Sequence, residues 1–206
     1  MSVLGEKSPK TARGRRTLRR ILDAAETEFG ARGFHDASVV SITTKAGVAQ
    51  GTFYIYFDSK ERLYRELVAD LGARLRSYLS EAVADAANRI EAERLGLRSF
   101  IEFVREHGNL YRIVMESQFV DPEAFRRYFM EFAAAYEAGF ERAIAAGEVR
   151  ASETEGRSWA LMGISLFAGL RYGIWEPKRD IAPLVDSITD MVAYGLSPSP
   201  AGSERR

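Results

Sequence analysis

The chain has 206 residues, of which 46% are hydrophobic and 28% charged, a profile that suits one domain or a small core with an appendage and excludes a wholly disordered chain. It contains no cysteine, which excludes thiol catalysis, a disulfide scaffold and cysteine-ligated zinc. The formal charge balances at 29 basic against 29 acidic side chains, yet residues 1–69 hold 12 and 8 while residues 70–206 hold 17 and 21.

The excess starts at once. Among the first 20 residues, Lys7, Lys10, Arg13, Arg15, Arg16, Arg19 and Arg20 stand against Glu6 alone. Such an arm is either a polyanion-binding element or a solvated tail, and charge alone leaves both open. No apolar stretch follows it, so a signal peptide is not expected. The most apolar run, 164–175, contains Arg171 and is far shorter than the ~20 residues of a membrane span, so a soluble, cytoplasmic protein without membrane association is expected.

Leu18, Ile21, Leu22, Ala25 and Phe29 recur at helical spacing and predict an amphipathic helix over about 15–31, with Gly33 as a left-handed cap. Asp36 or Ser38 can cap a short helix ending at Ala46, before Gly47. Gln50 to Phe57 is a third, and Asp58 with Glu61 opens a long fourth helix to about Ala87. Further helices are predicted over 91–107, from Asn109 to about Gln118, and from Asp121-Pro122-Glu123 to about Ala146. Ser152 with Glu155 reads as a capping box for a helix running to Glu176, and the last covers about 181–196. The fold class is therefore all-α, with about nine helices and no strand alternation.

Ser38 to Phe57 is the informative segment. Two short helices flank Gly47, and Val39, Ile42, Ala46 and Val48 supply the apolar contacts that hold such a pair at a steep angle, the signature of a helix-turn-helix. Phe53 and Phe57 belong to the core on this reading. Residues 17–68 resemble the DNA-binding domain of the TetR family of bacterial transcriptional regulators. The residues that carry the resemblance are Ile21 to Ala25, Phe29, Gly33-Phe34, Ser38, Ile42, Ala46-Gly47-Val48, Gly51 to Tyr54, Tyr56-Phe57, Ser59-Lys60-Glu61 and Leu63. Thr43, Ser41 and Phe53 depart from the family's usual residues, and Thr43 can alter which groups face the DNA.

The resemblance implies a helix-turn-helix DNA-binding domain (15–60) and a ligand-binding and dimerisation domain (61–196); charge and composition add a basic disordered arm (1–14) before them and a disordered tail (197–206) after. It implies a homodimer joined by its last two helices, a double-stranded operator, and repression relieved by a small molecule. The family's DNA contacts map onto Gln50, Gly51, Thr52, Tyr54 and Tyr56. Gln50 suits adenine N6 and N7. Thr52, Tyr54, Tyr56 and Lys60 suit phosphates, as does Ser38 at its helix start, while Arg15 and Arg16 lie just before the first helix, where the arm can reach a neighbouring groove. Gly51 lets the backbone approach the duplex. A dimer reads a pseudo-palindrome with half-sites one or more turns apart, roughly 34 Å.

At the other end, helix 157–175 is apolar around most of its circumference, which reads as burial on all sides, with one side toward a cavity and the other toward a partner subunit. The dense aromatics either line an apolar pocket or simply fill a core. The candidate ligand residues are Phe103, Tyr111, Arg112, Met115, Phe119, Tyr128, Phe132, Phe167 and Arg171. Arg171 either meets an anionic ligand group or pairs with Glu116 or Glu176. Residues 107–132 resemble, less strongly, regulators that sense acyl-CoA. Gly163, Ala168 and Gly169 either let helices approach closely across a dimer or serve internal packing. No metal cluster, nucleophile elbow or phosphate loop is visible, so neither an enzyme nor a cofactor is expected. The rival reading is a helix-turn-helix that binds a protein partner and has no specific DNA site. On the main reading, ligand shifts the dimer toward a spacing that no longer fits the operator, with the long fourth helix as lever.

Overall fold

The helical periodicities become nine α-helices and one π-helical segment in a computed structural model that describes residues 9–195. The expectations for residues 1–8 and 196–206 lie outside the described residues. The helices are α1 (Ala12–Asp36), α2 (Val39–Ala46), α3 (Gln50–Tyr56), α4 (Lys60–Ala82), α5 (Arg89–Glu106), α6 (Gly108–Val120), α7 (Pro122–Ala145), α8 (Glu155–Ala168) and α9 (Ala182–Tyr194). No described helix is long and apolar enough to cross a membrane. The chain forms two compact units, one of Met1–Ser77 with Glu106–Ala135, the other of Tyr78–Arg105 with Tyr136–Arg206.

In the first unit, α1 buries Ile21, Leu22, Ala25 and Phe29. Phe29, Phe34 and Tyr64 form an aromatic triangle with ring centroids 5.0–5.8 Å apart. Each buried ring contributes about 1.5–3 kcal/mol, plus about 0.5–1.5 for each ring pair. Tyr64 donates to the Ile113 carbonyl at 2.7 Å, and burial pushes its phenol pKa up, so the proton stays available for that bond. Arg19 grips both Asp70 oxygens at 2.8 Å, and Arg74 reaches Glu26 at 2.7 Å, riveting α1 to α4. Arg65 to Asp121 at 2.6 Å and Arg76 to Glu131 at 2.7 Å do the same for α4 and α7.

Gly33 is not a simple helix cap. Its φ of 81° and ψ of 171° kink α1, and one more turn follows before Ala37. The break frees the Phe34 N–H from its intrahelical partner, and Glu116 on α6 accepts it at 2.9 Å. Arg112 of α6 donates to the Gly30 and Ala31 carbonyls at 3.0 and 3.3 Å. Gly30 is required here for close approach, because a Cβ would stand 2.3 Å from Cγ of Asn109.

Three of the expected caps are displaced. Ser59, not Asp58, opens α4: its Oγ accepts from the Arg62 N–H at 3.1 Å, and α4 ends at Ala82. At α8 the carboxylate of Glu153 accepts from Gly156 N–H, in place of a Ser152–Glu155 box. Likewise α6 starts at Gly108, before Asn109, and the carbonyl of its N-cap residue His107 accepts from the Leu110 N–H at 2.9 Å.

In the second unit, Leu97, Ile101, Ala168, Ile181 and Val185 form a buried cluster. The helix expected to run to Glu176 is α-helical only to Ala168, and Gly169–Trp175 is a π-helix. Within one chain its sides differ. Leu161, Met162, Ala168 and Gly169 face the core, whereas Trp159, Phe167 and Trp175 are exposed. Gly169 lies against Phe100, a Cβ there being 2.6 Å from that ring, so it serves internal packing, while Gly163 opens onto free space.

Candidate nucleic-acid interface

The α2–turn–α3 segment is built from a cap, a turn and a small core. Ser38 accepts from the Ser41 N–H at 3.0 Å while Ser41 Oγ accepts from the Ser38 N–H at 3.2 Å, a reciprocal cap that fixes where α2 begins. Gly47 ends it at φ 62° and ψ 42°, a left-handed geometry that glycine adopts without β-carbon strain. Arg20 on α1 holds the turn by donating to the carbonyls of Ala46 and Gly47, the latter at 2.9 Å. Ile42, Phe53 and Phe57 are wholly buried beneath. Thr43 is buried too, bonding back to the Val39 carbonyl at 2.8 Å, so it presents nothing outward.

This core orients α3. Gln50, Gly51 and Tyr54 are exposed, Thr52 is half-exposed, and Ile55 joins them with 67% of its surface free. A helix returns to the same side after three and four residues, so Gly51, Tyr54 and Ile55 share the outer face. Ile55 and the exposed Val40 at the start of α2 were not among the expected contacts. The spacing of four from Gly51 is the sequence signal that places Ile55 on this face.

Two expected phosphate ligands are turned inward. Tyr56 is 9% exposed, and its hydroxyl donates to the Gly14 carbonyl at 3.2 Å. The Lys60 ammonium donates to the carbonyls of Phe34, His35 and Ala37 at 2.7, 3.4 and 2.8 Å and lies 4.3 Å from the Phe34 ring centroid. An ammonium has three protons, and all three are engaged. Lys60 therefore closes the end of α1, where orphan carbonyls and the helix dipole favour a cation. Lys60→Met is expected to cost about 1.5–3 kcal/mol in a urea titration. A loss below about 0.5 kcal/mol would return the ammonium to solvent and revive the phosphate assignment. Arg15 and Arg16 are exposed on the first turns of α1, and Arg15 also donates to the Lys10 carbonyl at 3.3 Å.

The candidate ligand residues divide between the units. In the first, Tyr128 is buried against Phe132 and Phe129, Arg76 lies 5.3 Å from the Phe132 ring centroid, Tyr111 and Met115 are half-buried, and Phe119 is 82% exposed. Arg112 is occupied by the α1 carbonyls described above. A cleft between α4 and α7 is lined by Arg65, Gly72, Arg76, Arg127, Tyr128 and Glu131 among others, so its mouth is charged rather than apolar. In the second unit, Phe103 is buried and packs on Tyr78 at 5.0 Å, and Phe167 is exposed. Arg171 pairs with Glu176 at 2.7 Å; Glu116, the other partner considered, is the acceptor for Phe34.

Residues 21–67 match the family described as bacterial regulatory proteins, tetR family. The uncharacterized HTH-type transcriptional regulator YdgC of Bacillus subtilis (strain 168) is 37% identical over 117 residues, 55% of this chain and 58% of that protein, so the chain aligns with just over half of that relative's length. The HTH-type transcriptional activator FasR of Mycolicibacterium smegmatis is 27% identical over 176 residues, 75% of this chain and 80% of that protein. The solved structure of the regulator FadR from Bacillus subtilis in complex with stearoyl-CoA superposes with a TM-score of 0.74 at 20% identity, covering 87% of this chain and 99% of that one. At that identity the likeness is one of fold.

Proposed function

We propose that this chain, which belongs through residues 21–67 to the tetR family of bacterial regulatory proteins, is a sequence-specific DNA-binding transcriptional regulator controlled by a small acyl-type ligand. The observation that carries the reading is the outer face of α3. Gln50, Gly51, Tyr54 and Ile55 stand exposed on a helix whose other side is locked by Phe53 and Phe57. Gln50 offers paired donor and acceptor groups to adenine, Ile55 an apolar surface for a thymine methyl, and Thr52 and Tyr54 hydroxyls for phosphates.

The protein acts as a homodimer on this proposal. Trp159, Phe167 and Trp175 give the second unit an exposed apolar side suited to a second copy. Two copies present two α3 helices to a pseudo-palindromic site. The stearoyl-CoA in the Bacillus subtilis FadR structure supports a long-chain acyl thioester as effector. The candidate ligand residues are those assigned above, and Arg171 enters the set only if it leaves Glu176. Repression is the proposed direction, although FasR is named an activator. No catalytic step is assigned, and the site of action is the cytoplasm, where the DNA is.

Selection of random duplexes by the purified protein tests this. An enriched inverted repeat is expected, and stearoyl-CoA is expected to release it. Affinity that collapses at physiological salt with no enriched sequence would leave nonspecific phosphate binding only and favour the protein-partner alternative.

A further inference from the structure

The hydroxyl of Tyr56 joins two segments 42 residues apart. It donates from the last residue of α3 to the carbonyl of Gly14 in the first turn of α1. Around it the chain is well organised. Thr11 Oγ1 accepts from the Gly14 N–H at 3.0 Å, and Arg15 N–H donates to the Thr11 carbonyl at 3.0 Å. A Cβ on Gly14 would stand 2.9 Å from Cβ of Pro9 and 3.5 Å from the Tyr56 oxygen, so the glycine gives this turn its close fit. Yet Ala12, Arg13, Arg15 and Arg16 are all exposed, and burial of the helix begins only at Ile21. A helix end with no apolar anchor frays unless something else holds it. Arg13, Arg15 and Arg16 ride on that turn.

We propose that Tyr56 is a positioning residue: its bond to the Gly14 carbonyl fixes the first turn of α1, and thereby Arg13, Arg15 and Arg16, beside the end of the α3 helix as an ordered phosphate-binding arm. The inference rests on the DNA-binding function proposed above. An arginine on a frayed end pays an ordering cost when it meets a phosphate, and one on a fixed turn does not. The hydroxyl thus contributes to affinity without touching the DNA.

Tyr56→Phe removes the oxygen and leaves the ring. Two readouts test the proposal, the first independent of DNA. Amide hydrogen exchange at Arg15 to Thr17 is expected to accelerate by about tenfold in the variant, with exchange in α3 and α4 unchanged. Unaltered exchange at those amides would overturn the tether itself, whatever the protein binds. The second readout is affinity for the selected duplex as a function of salt. Tyr56→Phe is expected to weaken binding about 3- to 10-fold and to lower the salt slope by about one phosphate. In an Arg13→Ala/Arg15→Ala/Arg16→Ala background the same change is expected to do nothing further. An equal loss in both backgrounds would make Tyr56 a direct phosphate ligand, and no loss in either would leave the arm irrelevant; each overturns the proposal. If no duplex is selected at all, the DNA-binding reading fails, and the exchange result still judges the tether.

Discussion

Arg89→Met is expected to destabilise the second unit by about 3–5 kcal/mol, the range for leaving a buried charge without its partner. Arg89 and Glu93 stand one turn apart on α5, form an ion pair, and expose only 13% and 11% of their side chains. The guanidinium lies 4.1 Å from the Phe140 ring centroid and 5.6 Å from that of Tyr136. Gly139 makes room for it, since a Cβ there would collide with the guanidinium. Burial raises the Glu93 pKa above the usual carboxylate range, and the charge and hydrogen bond of Arg89 only partly oppose this. The folded state therefore binds the Glu93 proton more tightly than the unfolded chain. Stability from this group is greatest at acid pH and falls as pH rises from the ordinary glutamate value through the raised one. Removing Arg89 pushes that value higher still. The Met variant should lie close to wild type at about pH 4 and show its full deficit at about pH 8, by urea unfolding at each pH. Adding Glu93→Leu should recover most of the loss. A deficit of the same size at both pH values would mean that the lost packing on Phe140, not the orphaned carboxylate, sets the cost.

Gly51→Leu should separate folding from binding. A Cβ at Gly51 meets nothing within 4 Å, and the residue sits in the open on the outer face of α3. Folding stability should stay within about 0.5 kcal/mol of wild type. Affinity for the selected duplex should fall about 10- to 100-fold, because an isobutyl group would hold the helix off the base edges and forfeit a contact worth about 1–3 kcal/mol. Wild-type affinity in a well-folded Leu variant would move the interface elsewhere on the molecule and sink the α3 assignment.

The helix-turn-helix was legible in the sequence because its determinants are local. A serine three residues from its capping partner, a glycine in the turn and two phenylalanines four apart all act within one or two helical turns. The inward partners of Tyr56 and Lys60 were not legible, for the opposite reason. Their hydroxyl and ammonium find carbonyls 42 and 23–26 residues away, and no local pattern announces those partners. Asp58 and Ser152 carry good capping side chains but lost their places to Ser59 and Glu153, neighbours that could serve as well. In 157–175 the apolar content was plain. Periodicity could not tell a side facing the core from a side left open, nor reveal the π turn from Gly169 to Trp175. The ligand residues were the least legible, because a pocket is a matter of shape and the aromatic side chains that fill a core look the same in sequence as those that line one.

The kink at Gly33 equips the molecule with a gauge. The Phe34 N–H points at a carboxylate on another helix, so its NMR resonance should be displaced from those of ordinary helical amides. If α6 lifts from α1, that bond breaks together with those of Arg112 to the Gly30 and Ala31 carbonyls, and the Phe34 peak moves with its neighbours at the kink. A titration with any candidate effector can then be followed at the Phe34 backbone amide, without DNA present.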